Sequence, residues 1–159
     1  MCPLSAEFGY AFSTKTRPLE TMRHPRLMKQ LQVLVVDNDP DSRHLLTVLF
    51  AAYGIRTIAT ASACKALAIL QDIQPDLLIS ELALPGEDGY CLMQQVKALE
   101  SRQQVQIPAI ALTGYNRKSD QAQALAVGFR RYLVKPVDID ELMTTVADLT
   151  KSPQMVPTT

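Results

Sequence analysis

The sequence predicts an α/β fold over residues 31 to 150, a doubly wound parallel sheet with crossover helices. Three observations carry this reading. From Leu31 onward, short apolar runs alternate with stretches of helical period five times in succession, as parallel strands joined by helices require. The first run, Val33-Leu34-Val35-Val36, is apolar at every position, as in a strand covered on both faces. The 159 residues suit one domain with a sizeable core.

Each element follows from its residues. After the first strand, Pro40 to Ala52 reads as a helix with Leu45, Leu49 and Ala52 on an inward stripe. Asp39 is placed to cap it and Pro40 to open it. Gly54 suits the turn into a weaker strand, Ile55 to Ala59, and Ser62 to Ile73 follows as a helix with Ala66, Leu70 and Ile73 inward. Leu77 to Ser80 is the third strand. A loop with Pro85, Gly86 and Gly89 leads into a helix from about Gly89 to Ser101, with Leu92, Val96 and Leu99 on one face. Ala109 to Leu112 is a strand, Lys118 to Val127 a helix, and Arg131 to Val134 a strand. Asp138 to Leu149 closes the series as a helix with Leu142, Val146 and Leu149 inward. Gly128 is placed to end the fourth helix in a left-handed conformation.

Outside this unit, residues 1 to 30 read as a flexible basic leader. Lys15, Arg17, Arg23, Arg26 and Lys29 outnumber Glu7 and Glu20, a net charge of +3. A basic docking arm is its functional reading, and Met28 offers a later start. Residues 151 to 159 read as a short flexible tail. Over the whole chain sixteen basic residues balance sixteen acidic ones, so no overall field draws in nucleic acid or an anionic membrane. A helix-turn-helix reader with a basic recognition helix has no place in the chain. No apolar run approaches the roughly 20 residues that span a bilayer, and the N-terminus lacks the apolar core of a secretory signal. Cys2, Cys64 and Cys91 lack metal-ligand spacing and read as reduced thiols of a cytoplasmic protein.

Such a sheet gathers the carboxyl ends of its strands along one edge, where ligands bind beside a topological switch point. The first strand delivers Asp37, Asn38 and Asp39 to that edge, the third Glu81, the fourth Thr113, and the fifth Lys135-Pro136. Carboxylates, a hydroxyl and an ammonium are thereby expected to converge. A nucleotide-binding reading is opposed by the first loop, which has Asp-Asn-Asp where a phosphate would need glycines.

Four segments then carry a resemblance. Val-Val-Asp-Asn-Asp-Pro at 35 to 40, Leu-Pro-Gly-Glu-Asp-Gly at 84 to 89, Ala-Leu-Thr-Gly at 111 to 114 and Tyr-Leu-Val-Lys-Pro at 132 to 136 stand in the order and spacing of the receiver domain of two-component response regulators. From about Gln32 to Thr150 the chain resembles this family, and the chemotaxis regulators within it. The resemblance implies a flavodoxin-like sheet of five parallel strands, order 2-1-3-4-5, with five helices.

It also implies a site. In that family an aspartate accepts a phosphoryl group while Mg²⁺, held by acidic side chains and one backbone carbonyl, neutralises the charge of transfer. The phosphoacceptor position here matches Glu81, four residues before Pro85. The metal positions match Asp37, Asn38, Glu81 and Ala83, with a neutral amide at Asn38 in place of a carboxylate. The longer Glu81 side chain shifts the reacting oxygen by about the 1 Å that can cost around 100-fold in rate, so phosphorylation is disfavoured and Mg²⁺ binding weakened. No cofactor is expected. Thr113 and Lys135 match the residues that pair with phosphoryl oxygens, and Lys135 is expected to pair with Glu81 itself. Asp37 and Asp39 are expected to favour protonation of Glu81 unless Lys135 compensates. Tyr132 matches an aromatic switch residue, either turned inward or packed at a strand end with a wet hydroxyl.

The resulting expectation is a receiver that acts without phosphorylation, not as an enzyme, by binding a protein through its last two helices and last strand. The partner would be a histidine kinase, a phosphotransfer protein or an output protein, and the chain itself a monomer or weak dimer. A conventional phosphoacceptor with residual Mg²⁺-dependent transfer is the alternative. Whether Glu81 holds such a domain on, off or unswitched stays open at this level.

Overall fold

The computed structural model describes residues 31–151, so the expectations for the leader, for the tail and for Cys2 lie outside the described residues. Five parallel strands form one sheet: β1 (Gln32–Val36), β2 (Arg56–Thr60), β3 (Leu77–Ser80), β4 (Ala109–Thr113) and β5 (Arg131–Val134). Their order is β2-β1-β3-β4-β5, with Val35 opposite Ala59 on one side and Ile79 on the other. Between them run α1 (Pro40–Ala52), α2 (Ala63–Asp72), α3 (Gly89–Gln103) and α4 (Lys118–Val127), and α5 (Ile139–Lys151) follows β5. This is the flavodoxin-like doubly wound arrangement. Among the described residues no helix is long and apolar enough to cross a membrane.

Alternation along the strands divides the core into two layers. Leu34, Val36, Leu78 and Ala111 point to the side covered by α2, α3 and α4, where Leu70, Leu92, Val96 and Leu99 pack. Val33, Val35, Ile79 and Leu112 point to the other side, where α1 and α5 supply Leu46, Phe50, Leu142, Val146 and Leu149. Burial of such side chains contributes roughly 1.5–3 kcal/mol each, which fixes the sheet as a platform.

Two sequence expectations fail here. Leu45, Leu49 and Ala52 were expected to face inward on α1, but Leu46 and Phe50 are the buried pair, Leu49 is only partly buried, and Leu45 and Ala52 are exposed. Phe50 removes more apolar area from water than any residue of the expected stripe, so the helix turns to bury it. Ile73 was expected inward on α2, yet it is the residue that caps the helix in extended conformation and it is exposed.

The helix starts follow capping chemistry. Asp39 caps α1 through the Asp41 N–H, Ser62 caps α2 through the Lys65 N–H, and Asp88 caps α3 through the Cys91 N–H. Gly54 and Gly128 adopt φ of 79° and 128°, the positive values that glycine accepts without strain.

Candidate functional site

At the carboxyl edge of the sheet, β1, β3, β4 and β5 deliver Asp37, Glu81, Thr113 and Lys135 into one pocket. The delivery depends on the parallel register: the Glu81 N–H donates to the Val36 carbonyl at 2.9 Å and the Lys135 N–H to the Thr113 carbonyl at 2.8 Å. Each residue just past its strand is thus tied to the neighbouring strand. Asp37 is 2% exposed, Glu81 7% and Thr113 fully buried.

Burying two carboxylates is costly unless each is paired. Lys135 meets that need by standing between them, its Nζ 2.7 Å from Asp37 Oδ2 and 3.0 Å from Glu81 Oε1. The expected Lys135–Glu81 pair is therefore present, and a second, shorter pair with Asp37 accompanies it. The second oxygen of Glu81 is more crowded still. Oε2 accepts from the Leu82 N–H at 2.8 Å, the Ala83 N–H at 3.0 Å and the Thr113 hydroxyl at 2.5 Å.

The electrostatics follow from this geometry. Burial pushes the Glu81 carboxyl up, but the Ala83 N–H, the Thr113 hydroxyl and Lys135 together outweigh it, so the group sits below its ordinary value of 4.5. The protonation that Asp37 and Asp39 were expected to favour does not prevail, because the Ala83 N–H, the Thr113 hydroxyl and then Lys135 favour the carboxylate. Burial likewise pushes Lys135 down, and its bonds to Asp37 and Glu81 reverse the shift, raising it above 10.5. Glu81 and Lys135 are thereby held as an ion pair.

The remaining residues of the acidic loop have other duties. Asp39 is exposed and its carboxylate accepts from the Ser42 hydroxyl at 3.0 Å and the Asp41 N–H at 3.1 Å. The bond from Ser42 is foremost in holding its pKa below the ordinary 3.8. Asn38 is exposed and borders a cleft of about 750 Å³ shared with Ala83, Asp88, Tyr90, Tyr115 and Arg117.

These positions can be tested against the Mg²⁺ that the resemblance implies. Asp37 Oδ1 accepts from the Asp39 N–H at 2.9 Å, Asp37 Oδ2 and Glu81 Oε1 share the ammonium, and Glu81 Oε2 already has three donors. Ala83, matched to a carbonyl ligand, turns its N–H to Glu81. A divalent ion between the carboxylates would have to displace Lys135, and the neutral Asn38 would not offset that loss. The arrangement present does not fit the ion.

Sequence reasoning missed two contributors. Arg43, in the first turn of α1, reaches back to donate to the Asp37 carbonyl at 2.7 Å; its offset of six residues from Asp37 gives no periodic signal. Tyr90, from α3, directs its hydroxyl to the Asp120 carbonyl at 3.4 Å. Tyr132 is half-buried, packs against the core and donates to the Tyr115 carbonyl at 2.7 Å. Burial foremost, then Asp120, pushes its phenol up to about 12. Tyr132 therefore braces the loop that follows Thr113 at the end of β4, and Tyr90 braces the first turn of α4.

Residues 33–147 match the model of the response regulator receiver domain. An uncharacterized 14.6 kDa protein of Leptolyngbya boryana is 41% identical over 119 residues, covering 75% of this chain and 89% of that one. The solved receiver domain of the Francisella response regulator 1452 superposes with a TM-score of 0.68 at 27% identity, over 77% of this chain and 98% of that one. The receiver domain of Saccharomyces cerevisiae Ssk1, solved with the phosphotransfer protein Ypd1, superposes with a TM-score of 0.74. It shares 21% identity over 79% of this chain and 92% of that one, a likeness of fold.

Proposed function

This chain belongs to the response regulator receiver family of two-component signalling, and we propose that it works there without phosphorylation, as a protein-binding module held in one switch state by Glu81. The observation that carries the proposal is the set of contacts on that carboxylate. Thr113 and Lys135, matched to the residues that grip phosphoryl oxygens in the family, both bind Glu81. The side chain that replaces the phosphoacceptor thus takes the place of the group it would have accepted. Its single charge and two oxygens are less than the roughly −2 charge and three oxygens of a phosphoryl group. Four donors on two oxygens, in a water-poor pocket, offset part of that difference.

Phosphoryl transfer is opposed by the same contacts. An attacking carboxylate needs a free oxygen in line with the donor, whereas both Glu81 oxygens are engaged and Mg²⁺ has no vacant acidic pair. In this reading the domain is not an enzyme and needs no cofactor. Its output surface is α4, β5 and α5, because Tyr132 and the β4–α4 loop connect that face to Thr113. A histidine kinase, phosphotransfer protein or output protein of the cytoplasm would read it; the receiver domain of Ssk1 was solved together with a phosphotransfer protein, Ypd1.

The test is intact-mass analysis after acetyl phosphate and Mg²⁺ treatment, with Glu81→Asp/Asn38→Asp in parallel. No adduct on the unaltered chain and one phosphoryl adduct on the double substitution are expected. An adduct on the unaltered chain, mapped to Glu81, would restore a conventional phosphoacceptor.

A further inference from the structure

Helix α1 has more apolar surface than the core uses. While Leu46 and Phe50 are buried, Leu45 and Val48 are 48% and 53% exposed, three residues apart and so on one face. Leu45 also walls an apolar cavity of about 470 Å³ with Leu46, Leu112, Pro136 and Val137. Ile139, two residues beyond Val137, is 44% exposed. Apolar side chains left exposed on one helix face beside an apolar cavity offer a place for a further segment to dock. Its surroundings are acidic: Asp41, Asp138, Asp140 and Glu141 are exposed, and none of the described salt bridges uses them.

We propose that the leader of the same chain docks here, with Phe8 and Phe12 on the α1 face and cavity and Lys15 and Arg17 along the acidic rim. Three features of the sequence select this occupant. Leu4, Phe8 and Phe12 recur every fourth residue, the spacing of anchors that enter an apolar groove from one side. Lys15, Arg17, Arg23, Arg26 and Lys29 follow them, giving the leader a charge opposite to that of the rim. The tether is also long enough. β1 has five residues and rises about 17 Å from the lower to the upper edge of the sheet, whereas residues 13 to 30 extend to as much as about 60 Å.

Tethering makes weak complementarity sufficient. A segment carried on the same chain meets its site at an effective concentration of about 1 mM. Lys135 lines the same cavity, so the docked leader covers the α1 flank of the pocket and the start of α5. The proposal does not depend on the reading of Glu81.

Cys2 provides the probe. Cys64 and Cys91 are exposed and can be replaced by serine, leaving one site for a nitroxide on the ¹⁵N-labelled full chain. Amide signals of Val48 and Ile139 are expected to lose most of their intensity to the nitroxide, and to regain it in Phe8→Ser/Phe12→Ser. Undiminished signals at α1, or a loss that persists in that variant, would overturn the proposal. So would broadening in a mixture of nitroxide-bearing unlabelled chain with nitroxide-free ¹⁵N chain, which would assign the contact to a second copy.

Discussion

Replacing Glu81 by glutamine keeps the shape of the side chain and removes its charge. The amide oxygen can still accept from Leu82, Ala83 and Thr113, but the amide NH₂ then faces Lys135, donor against donor. At the observed 3.0 Å and an effective dielectric of 20, the lost attraction is about 5 kcal/mol before solvation is counted. Lys135 keeps its 2.7 Å bond to Asp37, so the ammonium is not stranded, and desolvation of a charged carboxylate is relieved. A net loss of about 2–3 kcal/mol follows, near the value of one or two charge-assisted hydrogen bonds. In a domain of this size that lowers Tm by about 5–10 °C. The sign with pH is fixed by the depressed carboxyl pKa: the contribution of Glu81 is fully present above the ordinary value of 4.5 and is lost as pH falls through the lower folded value. Urea unfolding of the two proteins should therefore show a constant gap from neutral pH down to about pH 5 that closes at lower pH. The reasoning is refuted if Glu81→Gln is as stable as the parent at pH 7, or more stable, because the acids would then repel one another more than Lys135 holds them together.

Other substitutions separate the parts of the pocket. Lys135→Met leaves two buried carboxylates facing each other and should destabilise by about 3–5 kcal/mol, more than Glu81→Gln, with the Glu81 carboxyl titrating above 4.5 by NMR. Gly89→Ala places a Cβ 2.5 Å from the Glu81 carbonyl oxygen and 2.8 Å from Leu82 Cα. Backbone cannot yield there, so a loss of about 2 kcal/mol or more is expected in urea unfolding, against about 0.5 kcal/mol or less for Gly114→Ala, whose Cβ meets nothing within 4 Å. Tyr132→Phe removes the bond to the Tyr115 carbonyl and should cost about 1 kcal/mol. It should also abolish the phenol that ionises near pH 12 in a spectrophotometric titration.

The fold was legible because its signal is repeated. The run Val33-Leu34-Val35-Val36 is apolar at every position, and α3 and α5 each carry one apolar stripe, so period and burial agree. Helix α1 misled for a physical reason: Leu45, Leu46, Val48, Leu49 and Phe50 make it apolar on most sides, and only the packing of Phe50 against the sheet decides which side turns in. The site was legible to the extent that its residues stand at strand ends. Asp37, Glu81, Thr113 and Lys135 lie together because parallel strands share an edge. Partner choice within the pocket was not legible. That Lys135 bonds Asp37 more closely than Glu81, that Ala83 contributes an N–H, and that Arg43 reaches the Asp37 carbonyl depend on rotamers and on the path of a loop, which residue types do not encode.

The engaged state of Glu81 is open to one direct measurement. Amide chemical shifts of Thr113, Gly114, Tyr115 and Tyr132 would be compared between the parent chain and Glu81→Asp/Asn38→Asp, the latter with and without Mg²⁺ and beryllofluoride, a mimic of the phosphoryl group. If Glu81 supplies in place the contacts of that group, the parent spectrum coincides with the beryllofluoride-bound form of the double substitution. Coincidence with its unliganded form would contradict the account and return Glu81 to the role of an inert replacement.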